Sequence, residues 1–223
     1  MMEIQGTALS FLPMGWRIFL LVFFPPAVIA YFCGCFNGAV IVSKYVLRDD
    51  VRNHGSGNAG LTNFYRTFGG PLTLGVILTD VLKMIAAVAV GVLWLGNVPA
   101  DALMKDWAGT FCLLGHMFPC MFHFKGGTGI LSGGTLAWLI DWRLGLVCWG
   151  GFLLLVLLTK YVSLGSCWAA FSFPIASWFI FHDPYILLVA VFNSALVIWM
   201  HRANIKRLLS GTESKFHLHK KQQ

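Results

Sequence analysis

Seven apolar runs, at about 17–43, 69–95, 107–123, 129–141, 143–159, 162–181 and 184–200, take up most of this 223-residue chain. A helix needs about 20 apolar residues to cross the hydrocarbon of a bilayer, and most of the runs approach or exceed that length. Water is absent there, so only helices or closed barrels, which pair all their own backbone groups, can span it. The runs lack alternation of period two, so they read as helices. The expected fold is an all-α integral membrane protein with seven transmembrane helices, some short or broken. The run at 129–141 is a half-span, or it merges with its neighbour around Asp141-Trp142-Arg143. Pro25-Pro26, Pro119 and Pro174 are expected to kink or interrupt their helices. No repeat or low-complexity tract divides the chain, so residues 1–223 read as one polytopic domain. The first run lacks a small-residue cleavage site ahead of a mature domain, and reads as a span rather than a signal peptide.

Charge sets the orientation. Only 11% of residues are charged, against about 25% in soluble domains, yet the net charge is +7. In a membrane protein an excess of Lys and Arg marks the cytoplasmic loops, so nucleic acid is not an expected partner. With seven spans, Arg17, Lys105 and Arg143 fall on the N-terminal side and Lys83 lies inside a span. The other twelve of the sixteen basic residues share the side of the C-terminus. The N-terminus is therefore expected outside, and 202–223 forms a basic cytoplasmic tail. The six cysteines lie in or beside apolar runs without a C-x-x-C pair. They read as small hydrophobes, with no disulfide framework and no metal site.

Three polar stretches remain, all on the expected cytoplasmic side. Arg52 to Arg66 holds Gly55, Ser56, Gly57, Asn58, Gly60, Thr62 and Asn63. Glycine lets backbone N–H groups turn toward an anion, and arginine adds charge-assisted hydrogen bonds. The spacing is not that of a nucleotide-binding P-loop, and an ordinary glycine-rich connector remains open. The second stretch is Phe124-Lys125-Gly126-Gly127-Thr128-Gly129, after His116 and Pro119. The third, His201 to Leu209, continues the last run and puts His201, Asn204 and Arg207 near one helical face. It also reads as a basic anchor at the membrane surface, although an anchor does not call for His and Asn. Asp80 and Lys83 share the second run at i, i+3. Charges inside the membrane are costly and pair or line a polar cavity.

These stretches resemble, in order, the signature segments of the PlsY family of bacterial membrane acyltransferases. Gly55-Ser56-Gly57-Asn58-Ala59-Gly60-Leu61-Thr62-Asn63 with Arg66 is similar to the family's G-S-G-N-x-G-A-T-N-x-x-R. Asp80-Val81-Leu82-Lys83 matches its D-x-x-K. Gly115-His116-Met117-Phe118-Pro119 through Phe124-Lys125-Gly126-Gly127 matches G-H-x-x-P and F-K-G-G-K-G. His201 to Leu208 matches H-x-x-N-I-x-R-L. The resemblance implies seven helices and a cytoplasm-facing site in the bacterial cell membrane. It implies transfer of an acyl group from acyl-phosphate to the 1-hydroxyl of glycerol 3-phosphate, giving lysophosphatidic acid and phosphate. It further implies catalytic roles for Ser56, Arg66, His201 and Asn204. Gly55, Gly57, Asn58, Thr62, Asn63, Lys125, Gly126, Gly127, Thr128 and Arg207 would contact substrate or phosphate, with Asp80, Lys83 and His116 in support. The substrates and membrane lipid are the implied partners. No metal, organic cofactor or obligate protein partner is expected.

The chain departs from that pattern at Leu61, at Gly34-Cys35-Phe36-Asn37 and at Thr128, where the family has a second lysine. Two other readings stay open at this stage. One is a divergent relative with weak or altered activity. The other is an organic-phosphate transporter, which usually carries repeated halves.

Overall fold

The computed structural model describes residues 13–95 and 101–216. Those residues are helical or irregular, with no strand among them. Helix α1 (Met14–Ile18) runs through a π-helical turn (Phe19–Phe23) into α2 (Phe24–Cys35). Pro25 and Pro26 cannot donate to the preceding turn, and the wide π turn sits immediately before them. The helix then breaks at Phe36-Asn37. Asn37 caps its resumption, α3 (Gly38–Ile41): its Oδ1 accepts from Val40 N at 3.1 Å and its Nδ2 donates to Ala59 O at 3.0 Å. A polar loop carries a 3-10 turn (Val51–Asn53) and leads to the short α4 (Leu61–Thr67).

The remaining helices are α5 (Leu72–Leu95), α6 (Asp101–Met117), α7 (Ile130–Ile140), α8 (Trp142–Thr159), α9 (Val162–Phe181), α10 (Pro184–Met200) and α11 (Arg202–Leu209). The stretches Met14–Val46, Leu72–Trp94, Trp142–Thr159 and Val162–Phe181 are long and apolar enough to cross a membrane. The pair α10–α11, bent by 59°, makes a fifth candidate. Leu153, Leu154, Leu157 and Leu158 of α8 all point outward, as befits a lipid-facing surface. The chain is a multi-pass helical membrane protein.

Several local expectations are corrected. The 129–141 run does not merge with the next: Asp141 turns extended and caps α8, accepting from Arg143 N at 2.8 Å. α9 passes through Pro174 unbroken, whereas α6 stops at Met117, just before Pro119. The last run does not simply continue: it bends at His201 between α10 and α11. The part of the basic tail beyond Phe216, with Lys220 and Lys221, lies outside the described residues.

Small residues let the helices touch. A Cβ on Gly34 of α2 would run into the backbone of Cys112 on α6, and one on Gly115 into the Tyr31 carbonyl. Close backbone approach of this kind holds helices together where the hydrophobic effect between them is absent. Polar ties add to it: Asn193 of α10 donates to Asp106 Oδ1 and Thr110 Oγ1 of α6, both at 2.9 Å.

Candidate active site

The glycine-rich loop is organised by one buried side chain. Asn63, in α4, accepts from Ser56 N at 3.0 Å and donates through Nδ2 toward Val51 O, His54 O and Asn58 O at 3.0–3.1 Å. Gly55 and Gly57 lie at φ +55° and +71°, a region that penalises any Cβ. At Gly55 an added Cβ would also strike Asn63 Oδ1. Gly57 N donates to His54 O at 2.9 Å. At Ser56 and Gly57 the loop's N–H groups therefore face inward. Asn63 holds the loop with its whole amide, a role different from the substrate contact expected of it. Ser56 and Asn58 present their side chains instead.

The second stretch is likewise internally bonded. Gly126 N donates to Met117 O at 3.0 Å and Gly127 N to His116 O at 3.2 Å. This corrects the expectation that the two N–H groups hold phosphate, because both already serve carbonyls of α6. Glycine is needed here for packing: a Cβ on Gly126 would collide with His116 O, and one on Gly127 would come 2.7 Å from Ala59 O. Lys125 is exposed and is not among the residues lining the site's polar pocket. Its carbonyl, with that of Phe122, receives Arg52 Nη1 at 3.2 and 3.0 Å. Arg52 is also clasped by Asp50, Nη2 to Oδ2 at 2.6 Å, so it works as a clamp between the two loops.

Beneath both loops, Lys83 is buried and all three of its ammonium donors have partners. It reaches Asp80 Oδ1 at 2.7 Å, Phe36 O at 3.1 Å and His116 Nδ1 at 2.6 Å. Asp80, Lys83 and His116, expected in support of the site, are thus brought together in one buried cluster. The triad joins α5, the break after α2 and the end of α6.

At the far end of the chain, His201 occupies the bend before α11 and is 3% exposed. Its Nδ1 lies 2.8 Å from Val197 O. An N–H must donate there, which leaves Nε2 as the lone-pair nitrogen of the neutral ring. Glu213 follows α11 and is also buried. It accepts from Ser163 Oγ at 2.7 Å, Asn204 Nδ2 at 3.1 Å and Arg207 Nε at 2.6 Å. Burial alone would push its carboxyl up, but these three donors outweigh it and hold the group below its ordinary value. Arg66 Nη2 donates to Ser214 O at 2.9 Å, bridging 148 residues. Burial draws its guanidinium down, opposed by the Glu213 charge and reinforced by Arg207.

These pieces border one polar pocket. Its lining includes Ser56, Asn58, Thr62, Asn63, Arg66, Thr128, His201, Asn204 and Glu213. A second lobe shares Ser56, Asn58, Thr128 and Asn204 and adds Gly57, Arg202 and Arg207. All four residues expected to be catalytic thus line a single cavity, while Gly55, Lys125, Gly126 and Gly127 line neither lobe. Three polar residues of the first lobe were not among the expected site residues: Ser163 and Ser166 at the start of α9, and Glu213. The hydroxyls at i, i+3 opening an apolar run were the available signal for the first two. An apolar crevice lined by Leu113, Gly133, Ala137, Phe173 and Val197 shares Ile130 with the polar pocket. Three arginines and several hydroxyl and amide donors suit the binding of anionic oxygen, while the His201 lone pair can accept from a substrate hydroxyl. Among the described residues, no three His, Cys, Asp or Glu side chains are grouped to hold a metal ion.

Known proteins resemble this chain in sequence and fold. Residues 25–211 match the family model described as glycerol-3-phosphate acyltransferase. A Thermoanaerobacter pseudethanolicus protein of that name is 39% identical over 189 residues, covering 85% of this chain and 93% of its own. A Bacillus subtilis protein of the same name is 38% identical over 188 residues, covering 84% and 94%. Among solved structures, that of PlsY, described as an integral membrane glycerol 3-phosphate acyltransferase in its glycerol 3-phosphate form, superposes with a TM-score of 0.79. It is 31% identical, covering 86% of this chain and 94% of that one. Its lysophosphatidic acid form gives a TM-score of 0.75 at 30% identity. With the family model matched over residues 25–211 and relatives 38–39% identical over 84–85% of its length, this chain belongs to the glycerol-3-phosphate acyltransferase family.

Proposed function

We propose that the chain moves a fatty acyl group from acyl-phosphate to the 1-hydroxyl of glycerol 3-phosphate, at the cytoplasmic face of a bacterial plasma membrane. The observation that carries this is convergence: segments around residues 56, 128 and 201 meet in one pocket with Arg66 and Arg207. The charge asymmetry of the loops supports seven spans with the N-terminus outside and the C-terminus, with the 202–223 tail, in the cytoplasm. The whole chain then acts as a single membrane domain without an obligate protein partner.

Acyl-phosphate is already activated, so the protein's task is placement and charge stabilisation. Arg66 and Arg207 flank the polar pocket and draw the two phosphate groups together. Ser56, Asn58, Thr62 and Thr128 supply hydroxyl and amide contacts at the opposite wall. The apolar crevice beside Ile130 accommodates the acyl chain. The 1-hydroxyl oxygen attacks the acyl carbon and the bond from that carbon to the phosphate oxygen breaks. The hydroxyl proton leaves with the phosphate. Asn204 lines the pocket where negative charge grows on the carbonyl oxygen, and the His201 lone pair accepts a hydrogen bond from a hydroxyl of glycerol 3-phosphate. Glu213 keeps Asn204 and Arg207 aimed into it.

Purified protein, given acyl-phosphate and glycerol 3-phosphate, tests this. Arg66→Ala removes a charge-assisted contact of about 1.5–3 kcal/mol, so kcat/KM falls roughly ten- to hundredfold. Lys125→Ala, outside the pocket, changes it by less than about twofold. Equal losses in the two variants would sink the proposed pocket.

A further inference from the structure

Cys35 and Cys120 are 85 residues apart in sequence, yet their sulfurs lie 3.8 Å apart. Cys35 is the buried last residue of α2, at the helix break. Cys120 is exposed and opens the 3-10 turn (Cys120–Phe122) that leads into the second loop. We propose that this pair is a redox modification site: a small-molecule disulfide converts it to a Cys35–Cys120 disulfide that slows the enzyme reversibly. The effect on rate rests on the acyltransferase reading above; the bond itself does not.

The chemistry balances as thiol–disulfide exchange. The Cys120 thiolate, within reach of solvent, attacks one sulfur of the reagent and expels one thiolate. The Cys35 sulfur then attacks that of Cys120 and expels the second. Two protein thiols are oxidised, one reagent disulfide is reduced to two thiols, and both protons finish on those thiols. In reducing compartments such bonds are transient and serve as sensors.

A disulfide bond is about 2.05 Å long, so the sulfurs must close by roughly 1.8 Å. The Cys35 side has no slack, because Gly34 and Gly115 already bring the α2 and α6 backbones into contact. The Cys120 turn must give. Its carbonyl at Phe122 holds Arg52, and the glycines that follow pack without clearance on His116 O and Ala59 O. Movement there carries Thr128 and the Asn58 wall of the pocket with it. A displacement of about 1 Å in a positioning wall can cost on the order of a hundredfold in rate.

The test uses the purified full chain in lipid nanodiscs, equilibrated with graded ratios of reduced to oxidised glutathione. After denaturation and alkylation with a maleimide, a non-reducing digest is read by mass spectrometry beside the acyl-transfer rate. The expected result is a linked Cys35–Cys120 peptide, joint loss of the two thiols and at least a tenfold slower rate, all restored by dithiothreitol. Cys120→Ser should keep the reduced rate within about twofold and lose the oxidant response, as should Cys35→Ala. Three results would overturn the proposal: Cys120 recovered only as its glutathione adduct, Cys35 fully alkylatable after oxidation, or a linked peptide with an unchanged rate. Failure of the reduced protein to transfer acyl groups would count against the proposed function instead, while the peptide map still decides whether the bond forms.

Discussion

Replacing Asn63 by alanine separates a loop holder from a substrate contact. The Asn63 amide makes four polar contacts at 3.0–3.1 Å, one accepted from Ser56 N and three directed to the carbonyls of Val51, His54 and Asn58. Two N–H groups serve the three carbonyls, so they amount to about three full hydrogen bonds. At roughly 1 kcal/mol net each, Asn63→Ala removes about 3 kcal/mol from the glycine-rich loop. Part of that is regained through water at the loop surface. Substrate must then order the loop as it binds. At about 1.4 kcal/mol per factor of ten, KM for glycerol 3-phosphate should rise ten- to hundredfold. The helical core does not depend on this loop, so the thermal midpoint in detergent should move by only a few degrees. Asn63→Asp should be at least as damaging, since it sets a carboxylate against three carbonyl oxygens. The assay is initial phosphate release across glycerol 3-phosphate concentrations, with a melting curve on each sample. A KM within twofold of wild type and a fall confined to kcat would refute the reasoning and return Asn63 to the reacting centre.

Other outcomes follow from the same geometry. Thr128→Lys adds a cation where both pocket lobes meet, so apparent affinity for glycerol 3-phosphate should rise about tenfold at low salt, and the gain should shrink as salt screens it. Lys83→Met strands the buried Asp80 carboxylate, a loss of about 3–5 kcal/mol visible as a sharp fall in melting temperature; the double variant with Asp80→Asn should recover part of it. Glu213 has a folded pKa below its ordinary 4.5, so its stabilising effect is complete above that value and fades as pH falls through the lowered one. The melting-temperature gap between wild type and Glu213→Gln should therefore be widest near neutrality and close on acidification below about pH 4.5.

Much of the architecture was legible because apolar length is a local property: each of the seven runs contains a helix. The bend at His201 was not: the apolar run ends there, but neither proline nor glycine marks a break, and a polar segment can continue a helix as readily as bend away from it. Ser56, Arg66, His201 and Asn204 could be singled out because the polar stretches that hold them resemble the family's signature segments. Their meeting with Ser163 and Glu213 depends on how α9 and α11 pack, which no local pattern encodes. The glycines misled in a physical way. A glycine that frees an N–H for a ligand and one that admits a neighbouring carbonyl look alike in sequence. Gly126 and Gly127 prove to be the second kind. Lys125 likewise adjoins them in sequence but is not among the residues that line the pocket.

The most direct test of the central claim is product stoichiometry: purified wild-type protein with acyl-phosphate and glycerol 3-phosphate, following phosphate and lysophosphatidic acid together. One lysophosphatidic acid per phosphate released is expected, with Arg66→Ala slowing both equally. Phosphate release without the lipid product, or no turnover across acyl chains of varied length, would contradict it.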